Sequence, residues 1–388
     1  MSTFSHNLSQ VNDRRRHTFN QLNPPPRLLL GPGPSNSHPR VLQALAMPTV
    51  GHLDPYYLSV MNEIQELLRY AWQTENQVTF SISGTGSGGM EAAIANLVEP
   101  EDLVLVCING FFGERIAEMA ERAGARLIRL EKDWGEVFSL DEINEALQEH
   151  CPSILALVHA ETSTGANQPL EGIAEICHAQ DCLLVVDTVT SLAGVPLFLD
   201  QWGIDGSWSG SQKCLNCPPG LAVLSFSERA MAKIHNRKTK PFSWYWDINL
   251  LNRYWGNEHC YHHTAPVNLN YGLREALRIV AEESLATRWE RHLRTTRIFW
   301  EGLAALGLNC HVEEKHRLAS LTTVSIPEGV DGKAIQRFLL ERYNLEIGVG
   351  MGKLAGKVWR VGLMGFNSRA ENTTLLLAAL KEALFKLH

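Results

Sequence analysis

The chain has 388 residues, 35 of them Lys or Arg and 42 Asp or Glu, so its formal net charge is −7 at neutral pH. Hydrophobic residues make up 45% of the chain and charged residues 20%, which excludes a disordered protein and favours about two to three globular domains. No apolar run approaches the roughly 18 residues of a membrane helix, and a mildly acidic chain lacks the positive field typical of nucleic-acid binding. We therefore expect a soluble, cytoplasmic enzyme with no membrane or nucleic-acid partner.

Residues 1–27 are predicted to form an N-terminal arm. They are rich in Ser, Asn and Pro, carry arginines at 14–16 and contain no apolar stretch. The missing apolar stretch excludes a secretory signal, whereas an organellar transit peptide stays an alternative because such peptides are rich in Arg and Ser. The closing residues Lys386-Leu387-His388 are not the peroxisomal Ser-Lys-Leu address.

From residue 77 onward, short apolar runs alternate with helical patterns. The runs at 154–159 and 183–187 are nearly continuous, as expected for parallel strands buried on both faces. Repeated strand–helix–strand units predict an α/β fold with a mainly parallel, doubly wound sheet. In chain order we predict a strand at 78–83, a helix at 88–98, a strand at 103–108, a helix at 114–124, a strand at 154–159, a helix at 170–180 and a strand at 183–187.

The pattern changes near residue 270, where charged and apolar residues recur at helical spacing. We predict a large domain at 28–270 and a smaller C-terminal α+β domain at 271–388. The second domain would contain one long helix or two at 271–306, a strand at 321–326, a helix at 332–343, a strand at 358–363 and a helix at 369–387.

A glycine-rich loop, residues 83–89, lies between the first predicted strand and helix and contains the pattern G-x-G-x-x-G. Backbone N–H groups at a helix N-terminus, together with Thr and Ser hydroxyls, can bind a phosphate. A dinucleotide site would need an acid at the end of the next strand, and a Walker loop would need a Lys; neither is present. A phosphate site of another kind is favoured, and a simple tight turn is the alternative.

Asp187 and Lys213 are the two candidate catalytic residues. Asp187 ends an apolar run and is expected at the carboxyl edge of the sheet, where ligands bind; a capping or turn Asp is the alternative. Lys213 has no charged neighbour within seven residues on either side, which is unusual for a surface lysine and typical of a Schiff-base lysine. A phosphate site, a carboxylate and an isolated amine are together what pyridoxal 5′-phosphate requires.

Two patches could be read as metal sites. Cys214 and Cys217 form one CxxC pair among eight cysteines, and residues 259–263 are rich in His. A zinc site needs about four ligands, and no second CxxC is present. We favour reduced thiols and predict no metal.

Several ordered motifs from about residue 28 to the C-terminus resemble the fold-type I pyridoxal-phosphate enzymes of aminotransferase class V, and within them the alanine–glyoxylate and serine–pyruvate aminotransferases. The motifs are Leu29–Ser35, Ser83–Gly86, His159–Gly165, Ser209–Lys213 with Pro218–Gly220, Tyr261–Thr264 and Trp359–Gly362.

The resemblance implies a role for each matching residue. Lys213 would hold the cofactor and shuttle a proton, and Asp187 would bind the pyridine nitrogen. The remaining cofactor contacts would be Thr85, Gly86, Ser87 and Gln212 at the phosphate, Thr162 near the ring hydroxyl, Phe112 on the ring face, and Tyr261 and Thr264 at the phosphate of the neighbouring subunit in a homodimer. Relatives often have Trp where Phe112 stands and Ala at the two CxxC positions.

Substrate would be bound by Arg360 and near Gly33. A guanidinium pairs in bidentate fashion with a carboxylate, and a solvated strand arginine is the alternative for Arg360. Glycine allows close backbone approach at 31–34, and a rigid entry turn is the alternative there.

The resemblance implies a ping-pong transamination from alanine or serine to glyoxylate or pyruvate. Only one carboxylate clamp is evident, which favours a small monocarboxylate acceptor over a dicarboxylate. Alternatives are a 2-aminoethylphosphonate-type aminotransferase, a cysteine desulfurase-like or selenocysteine lyase, and a catalytically silent binding subunit. The lyase needs a mobile cysteine shortly before the arginine, whereas the last cysteine is Cys310.

Overall fold

The computed structural model describes residues 16–387, so most of the predicted arm, residues 1–15, lies outside the described residues. Residues 16–26 are exposed and form no helix or strand. The strands in chain order are β1 (Leu28–Leu29), β2 (Val78–Ser83), β3 (Leu103–Ile108), β4 (Arg126–Glu131), β5 (Ile154–Val158), β6 (Ala160–Glu161), β7 (Ala166–Asn167), β8 (Leu183–Asp187), β9 (Gly206–Gly210), β10 (Leu221–Phe226), β11 (Leu321–Ser325), β12 (Leu345–Glu346), β13 (Gly348–Val349) and β14 (Val358–Gly362).

Helices connect these strands and cover their faces. They are α1 (Pro39–Leu45), α2 (Pro55–Trp72), α3 (Gly86–Leu97), α4 (Phe111–Arg122), α5 (Leu140–His150), α6 (Ile173–His178), α7 (Glu228–His235), α8 (Ile248–Trp255), α9 (Val267–Glu283), α10 (Leu285–Ala305), α11 (Gly332–Tyr343) and α12 (Ala370–Leu387). Among the described residues, no helix is both long and apolar enough to cross a membrane.

The central sheet has seven strands in the order β2-β10-β9-β8-β5-β3-β4. Only β10 runs antiparallel to its neighbours, so the predicted α/β fold with a mainly parallel sheet is confirmed. The predicted strands at 78–83, 103–108 and 183–187 have the predicted bounds. Both β5 and β8 are buried along their whole length, as a strand covered by helices on both faces must be.

Strand β9 was not predicted, because its sequence is Gly-Ser-Trp-Ser-Gly rather than an apolar run. Its buried hydroxyls are satisfied by main-chain carbonyls: the Ser207 Oγ donates to Val186 O at 3.0 Å and the Ser209 Oγ to Thr188 O at 3.1 Å. A buried polar strand is stable when such bonds replace those to water, and hydropathy cannot detect it. Strands β4 and β10 and helix α2 were likewise outside the predicted set.

A second core lies in the C-terminal part, where α10, α11 and α12 cover a three-stranded antiparallel sheet in the order β11-β14-β13. The segment predicted as one long helix or two is two helices, α9 and α10, separated at Ser284. Helix α9 packs on α1 and α2 and contributes to the core of the large part. The domain division at residue 270 stays a prediction.

Candidate active site

One edge of the central sheet brings most of the predicted site residues together. Strands β2, β3, β5, β8 and β9 all run in the same direction, so the segments that follow them meet at their carboxyl ends. These segments carry Thr85–Ser87 after β2, Phe112 after β3, Thr162 after β5, Asp187 at the end of β8, and Gln212 and Lys213 after β9.

Lys213 is buried, with 7% of its surface exposed. Its Nζ donates a hydrogen bond to Pro32 O, and a Cβ at Gly33 would lie 2.8 Å from the Lys213 Cδ. Burial, and then the positive charge of Arg360, lower the pKa of Lys213 to about 8. About a tenth of this amine is therefore neutral, and nucleophilic, at pH 7, far more than for an ordinary lysine.

Asp187 presents one unpartnered oxygen to the site. Its Oδ1 accepts a hydrogen bond from Val189 N at 2.8 Å, whereas its buried Oδ2 has no hydrogen-bond partner. Burial, together with the negative charge of Glu161, raises the pKa of Asp187 to about 7. A buried carboxylate oxygen without a partner is costly, so a cationic N–H group bound at this place would offset that cost.

The start of α3 is an anion site by its geometry. Thr85 is the N-cap, no side chain caps the helix, and the first turn carries no acid, so the N–H groups and the helix dipole face outward. Gln212 lies at the same place, with its Oε1 buried and without a hydrogen-bond partner, and its amide Nε2 is the atom that could donate to an anion. Arg115 adds a cation here: its Nη1 donates to the Ser87 Oγ at 2.8 Å, and its guanidinium lies 5.0 Å from the centre of the Phe112 ring.

Arg360, on β14, reaches the same edge from the C-terminal part. Its Nε donates to Val349 O at 2.7 Å and its Nη1 to Thr162 O at 3.2 Å. Thr162 in turn shares a 2.8 Å hydroxyl hydrogen bond with Thr190. Burial lowers the pKa of Arg360 to about 10, so this guanidinium stays charged at neutral pH.

Tyr261 and Thr264 are not brought to this edge by hydrogen bonds within the described chain. Both side chains are exposed, Tyr261 to 56%, and the Tyr261 ring packs 5.1 Å from that of His52. Their predicted role belongs to a neighbouring subunit and stays a prediction.

The donor set fits pyridoxal 5′-phosphate. An uncapped helix N-terminus suits a phosphate, the free oxygen of Asp187 suits a protonated pyridine nitrogen, and a buried amine of lowered pKa suits an aldehyde. The family described as "Aminotransferase class-V" matches residues 30–371. The chain belongs to this family.

Class V aminotransferases depend on pyridoxal 5′-phosphate and use an amino acid and a 2-oxo acid as substrates. The chain is 46% identical over 364 residues to the alanine–glyoxylate aminotransferase of Rattus norvegicus, covering 93% of this chain and 88% of that protein. It is 39% identical to the (S)-ureidoglycine–glyoxylate transaminase of Bacillus subtilis, covering 93% and 91%. A solved alanine–glyoxylate aminotransferase from Nostoc sp. superposes with a TM-score of 0.95 at 58% identity, covering 97% of this chain and all of that one.

Sequence reasoning missed Glu161 and Arg115 in this aminotransferase. Glu161 lies three residues after the buried strand β5, near the same sheet edge as Asp187, so an acid shortly after an apolar run was a signal that could have found it. Arg115 could not have been found, because only the folded chain places it on Phe112 and Ser87.

The CxxC pair and the histidine-rich segment were the two candidate metal sites. Cys214 and Cys217 are buried free thiols, and burial raises the pKa of both, to about 11 and about 12. Within residues 16–387, no group of three or more His, Cys, Asp or Glu side chains is arranged to hold a metal ion.

Proposed function

We propose that this aminotransferase moves the amino group of a small amino acid, alanine or serine, to glyoxylate or pyruvate. The observation that carries the proposal is the position of the buried Lys213 amine between Gly33 and the single arginine clamp Arg360. Two relatives from different organisms share glyoxylate in their names, which supports glyoxylate as the acceptor.

Pyridoxal 5′-phosphate, when bound, withdraws electrons from the substrate Cα and so makes its proton acidic. The Lys213 Nζ would accept that proton and hold it for return. Asp187, in its ionised form, would bind the protonated ring nitrogen. The phosphate would be held by Thr85, Gly86, Ser87 and Gln212, with Phe112 on the ring face and Thr162 at the ring hydroxyl.

Arg360 selects for one carboxylate. A guanidinium has five N–H donors, and its Nε and one Nη1 donor are bound to main-chain carbonyls, so Nη2 remains free for a substrate carboxylate. Those carbonyl bonds fix the guanidinium plane before substrate arrives, which lowers the entropic cost of binding. A single clamp favours a monocarboxylate amino acid and oxo acid.

A homodimer is part of the proposal. The exposed Tyr261 and Thr264 carry hydroxyls suited to a phosphate, and they would complete the site of the neighbouring subunit. The predicted cytoplasmic location stays a prediction.

The proposal is tested by single-turnover spectroscopy of the protein loaded with pyridoxal 5′-phosphate. Alanine, serine, glycine, cysteine and 2-aminoethylphosphonate are added separately, and glyoxylate follows. We expect the absorbance of the bound aldehyde to disappear with alanine or serine and to return with glyoxylate, and we expect Lys213→Ala to abolish both changes. A response to 2-aminoethylphosphonate alone, release of sulfur from cysteine, or a protein that takes up no cofactor would each contradict the proposal.

A further inference from the structure

Helix α4 carries Phe112 in its first turn but has no cap of its own. Its N-cap is Gly110, which has no side chain to accept the first N–H groups of the helix. Buried N–H groups at a helix start must find acceptors elsewhere. The segment after β5 supplies them.

Glu161 and Ser163 accept the first three N–H groups of α4 from a distant part of the chain. The Phe111 N donates to the Ser163 Oγ at 2.9 Å, and the Glu161 Oε2 accepts from Phe112 N at 3.0 Å and from Gly113 N at 3.3 Å. The other oxygen, Oε1, accepts from Ser163 N at 2.9 Å and from the Ser163 Oγ at 2.6 Å. Glu161 is fully buried, so all four of its hydrogen bonds are made within the protein.

Gly110 has no side chain, and the Glu161 carboxylate occupies the space that one would fill. A Cβ at Gly110 would overlap the Glu161 side chain and would lie 2.7 Å from the Ser163 Oγ. A capping side chain at the N-cap and the carboxylate of Glu161 therefore exclude each other.

Thr162, the residue between Glu161 and Ser163, makes hydrogen bonds to Thr190 and to Arg360. Thr162 makes its hydroxyl hydrogen bond to Thr190, and its carbonyl accepts from Arg360. Segment 161–163 thus joins the residue proposed to cover the ring face to the residue proposed to bind the substrate carboxylate.

We propose that Glu161 is a positioning residue for transamination: by capping α4 across the sheet it fixes Phe112 on the cofactor ring, and through Thr162 it fixes Arg360. The inference rests on the proposed function and adds to it a residue that touches neither cofactor nor substrate. Glu161→Gln keeps the shape but replaces one acceptor oxygen by an NH2 group, which then opposes the N–H donors of α4 or of Ser163.

A capping role and a purely electrostatic role of Glu161 predict opposite effects of Glu161→Gln on cofactor affinity. Because the negative charge of Glu161 raises the pKa of Asp187, a purely electrostatic role would mean that Glu161→Gln favours ionised Asp187 and tightens cofactor binding. A positioning role means that cofactor binding weakens. We expect the dissociation constant for pyridoxal 5′-phosphate to rise about tenfold, the size of a lost cap, and the KM for alanine to rise with it.

The deciding experiment is a double-mutant cycle on the full chain. If Glu161 acts through Phe112, the effect of Glu161→Gln on cofactor affinity shrinks to less than about twofold when Phe112→Ala is already present. The matched control is Asp205→Asn. Asp205 is a buried carboxylate that accepts from Leu184 N at 3.0 Å and from the Ser227 Oγ at 2.9 Å, beside the start of β8 and therefore away from the carboxyl edge. It should lower thermal stability and leave cofactor affinity unchanged.

Tighter or unchanged cofactor binding in Glu161→Gln, or effects that simply add to those of Phe112→Ala, would overturn the inference. Ser163→Ala, which removes only the cap on Phe111 and one bond to Glu161, serves if Glu161→Gln does not fold, and it should weaken cofactor binding in the same Phe112-dependent way. Failure of the proposed function would be visible separately, as a wild-type protein that does not transaminate.

Discussion

Lys213 and Arg360 are two cations buried at the same edge of the sheet, and each affects what the other can do. Arg360 needs its charge to bind a carboxylate, whereas Lys213 needs to lose its charge to attack an aldehyde. Burial lowers the pKa of both, but only the pKa of Lys213 comes down to about 8, since a guanidinium starts much higher. The same environment therefore gives one neutral amine and one charged clamp.

This pairing predicts a pH dependence of cofactor uptake by the cofactor-free protein. The neutral amine is the reactive form, so the rate should rise with pH through about 8 and level off above it. In Arg360→Met the charge that lowers the pKa of Lys213 is gone, and the midpoint should move up by about one unit. Stopped-flow absorbance across pH measures both. Arg129→Met, on β4 at the far edge of the sheet, is the control, and an equal shift in that variant would refute the coupling.

Gly33 shows how closely the backbone approaches the lysine. Its φ is +106°, and an added Cβ would lie 2.8 Å from the Lys213 Cδ. We expect Gly33→Ala to displace the lysine and lower turnover about a hundredfold, the usual cost of a misplacement of about 1 Å. Gly51→Ala is the control, because a Cβ there meets no atom within 4 Å. Equal steady-state rates for the two variants would show that the close contact between Gly33 and Lys213 does not affect turnover.

Some features of these residues were predictable from the sequence, and others required the folded structure. The burial of Lys213 and Asp187 was predictable, because an isolated charge beside a buried run or among small residues differs from an ordinary surface charge. Three other features were not predictable, since each depends on segments far apart in the chain. They are the contact of Gly33 with Lys213, the position of the Arg115 guanidinium and the hydrogen bonds of Arg360.

At the scale of elements, the two helices at the site start in different ways. Helix α3 has free N–H groups at its start and can accept an anion, whereas the start of α4 is saturated by a carboxylate and a hydroxyl. Both helices begin earlier than predicted, at Gly86 and Phe111. Their first turns contain glycine, which has a low helix propensity, so the sequence pattern did not indicate a helix there. The starts of these two helices were thus predicted two and three residues late.

The free start of α3 predicts opposite effects of one substitution on stability and on binding. In Ser87→Asp a new carboxylate lies in the first turn beside Arg115, so the cofactor-free protein should gain about 0.3–1 kcal/mol of unfolding free energy. The same charge repels a phosphate, so affinity for pyridoxal 5′-phosphate should fall by about tenfold or more. Urea unfolding and a cofactor titration measure the two effects. The neutral variant Ser87→Asn also removes the hydroxyl but adds no charge, so it should give no gain in stability and a smaller loss of affinity than Ser87→Asp. Unchanged affinity in Ser87→Asp would place the phosphate elsewhere.

At the scale of the whole molecule, the proposed dimer can be tested by mixing inactive chains. Lys213→Ala and the double variant Tyr261→Ala/Thr264→Ala are each expected to be inactive or nearly so. In a mixed dimer, one site has an intact Lys213 and faces an intact Tyr261 and Thr264 on the other chain. Half of the randomly paired dimers are mixed and each has one complete site, so about a quarter of the wild-type activity should return. No recovery after subunit exchange would mean that these residues serve their own chain.

The pairing of β1 with β12 joins a strand from the N-terminal part of the chain to a strand in the C-terminal part. Leu28 and Leu29 lie parallel to Leu345 and Glu346, and Leu30 belongs to the C-terminal core. A ribosome delivers Leu28 long before its partner exists, so the N-terminal strand must stay unpaired while the central sheet forms around the segments between them. Strand β1 is thus synthesised early and is among the last of the described elements to be fixed. In a chain released before residue 345, pulse-labelling hydrogen exchange should find β5 and β8 protected and β1 open.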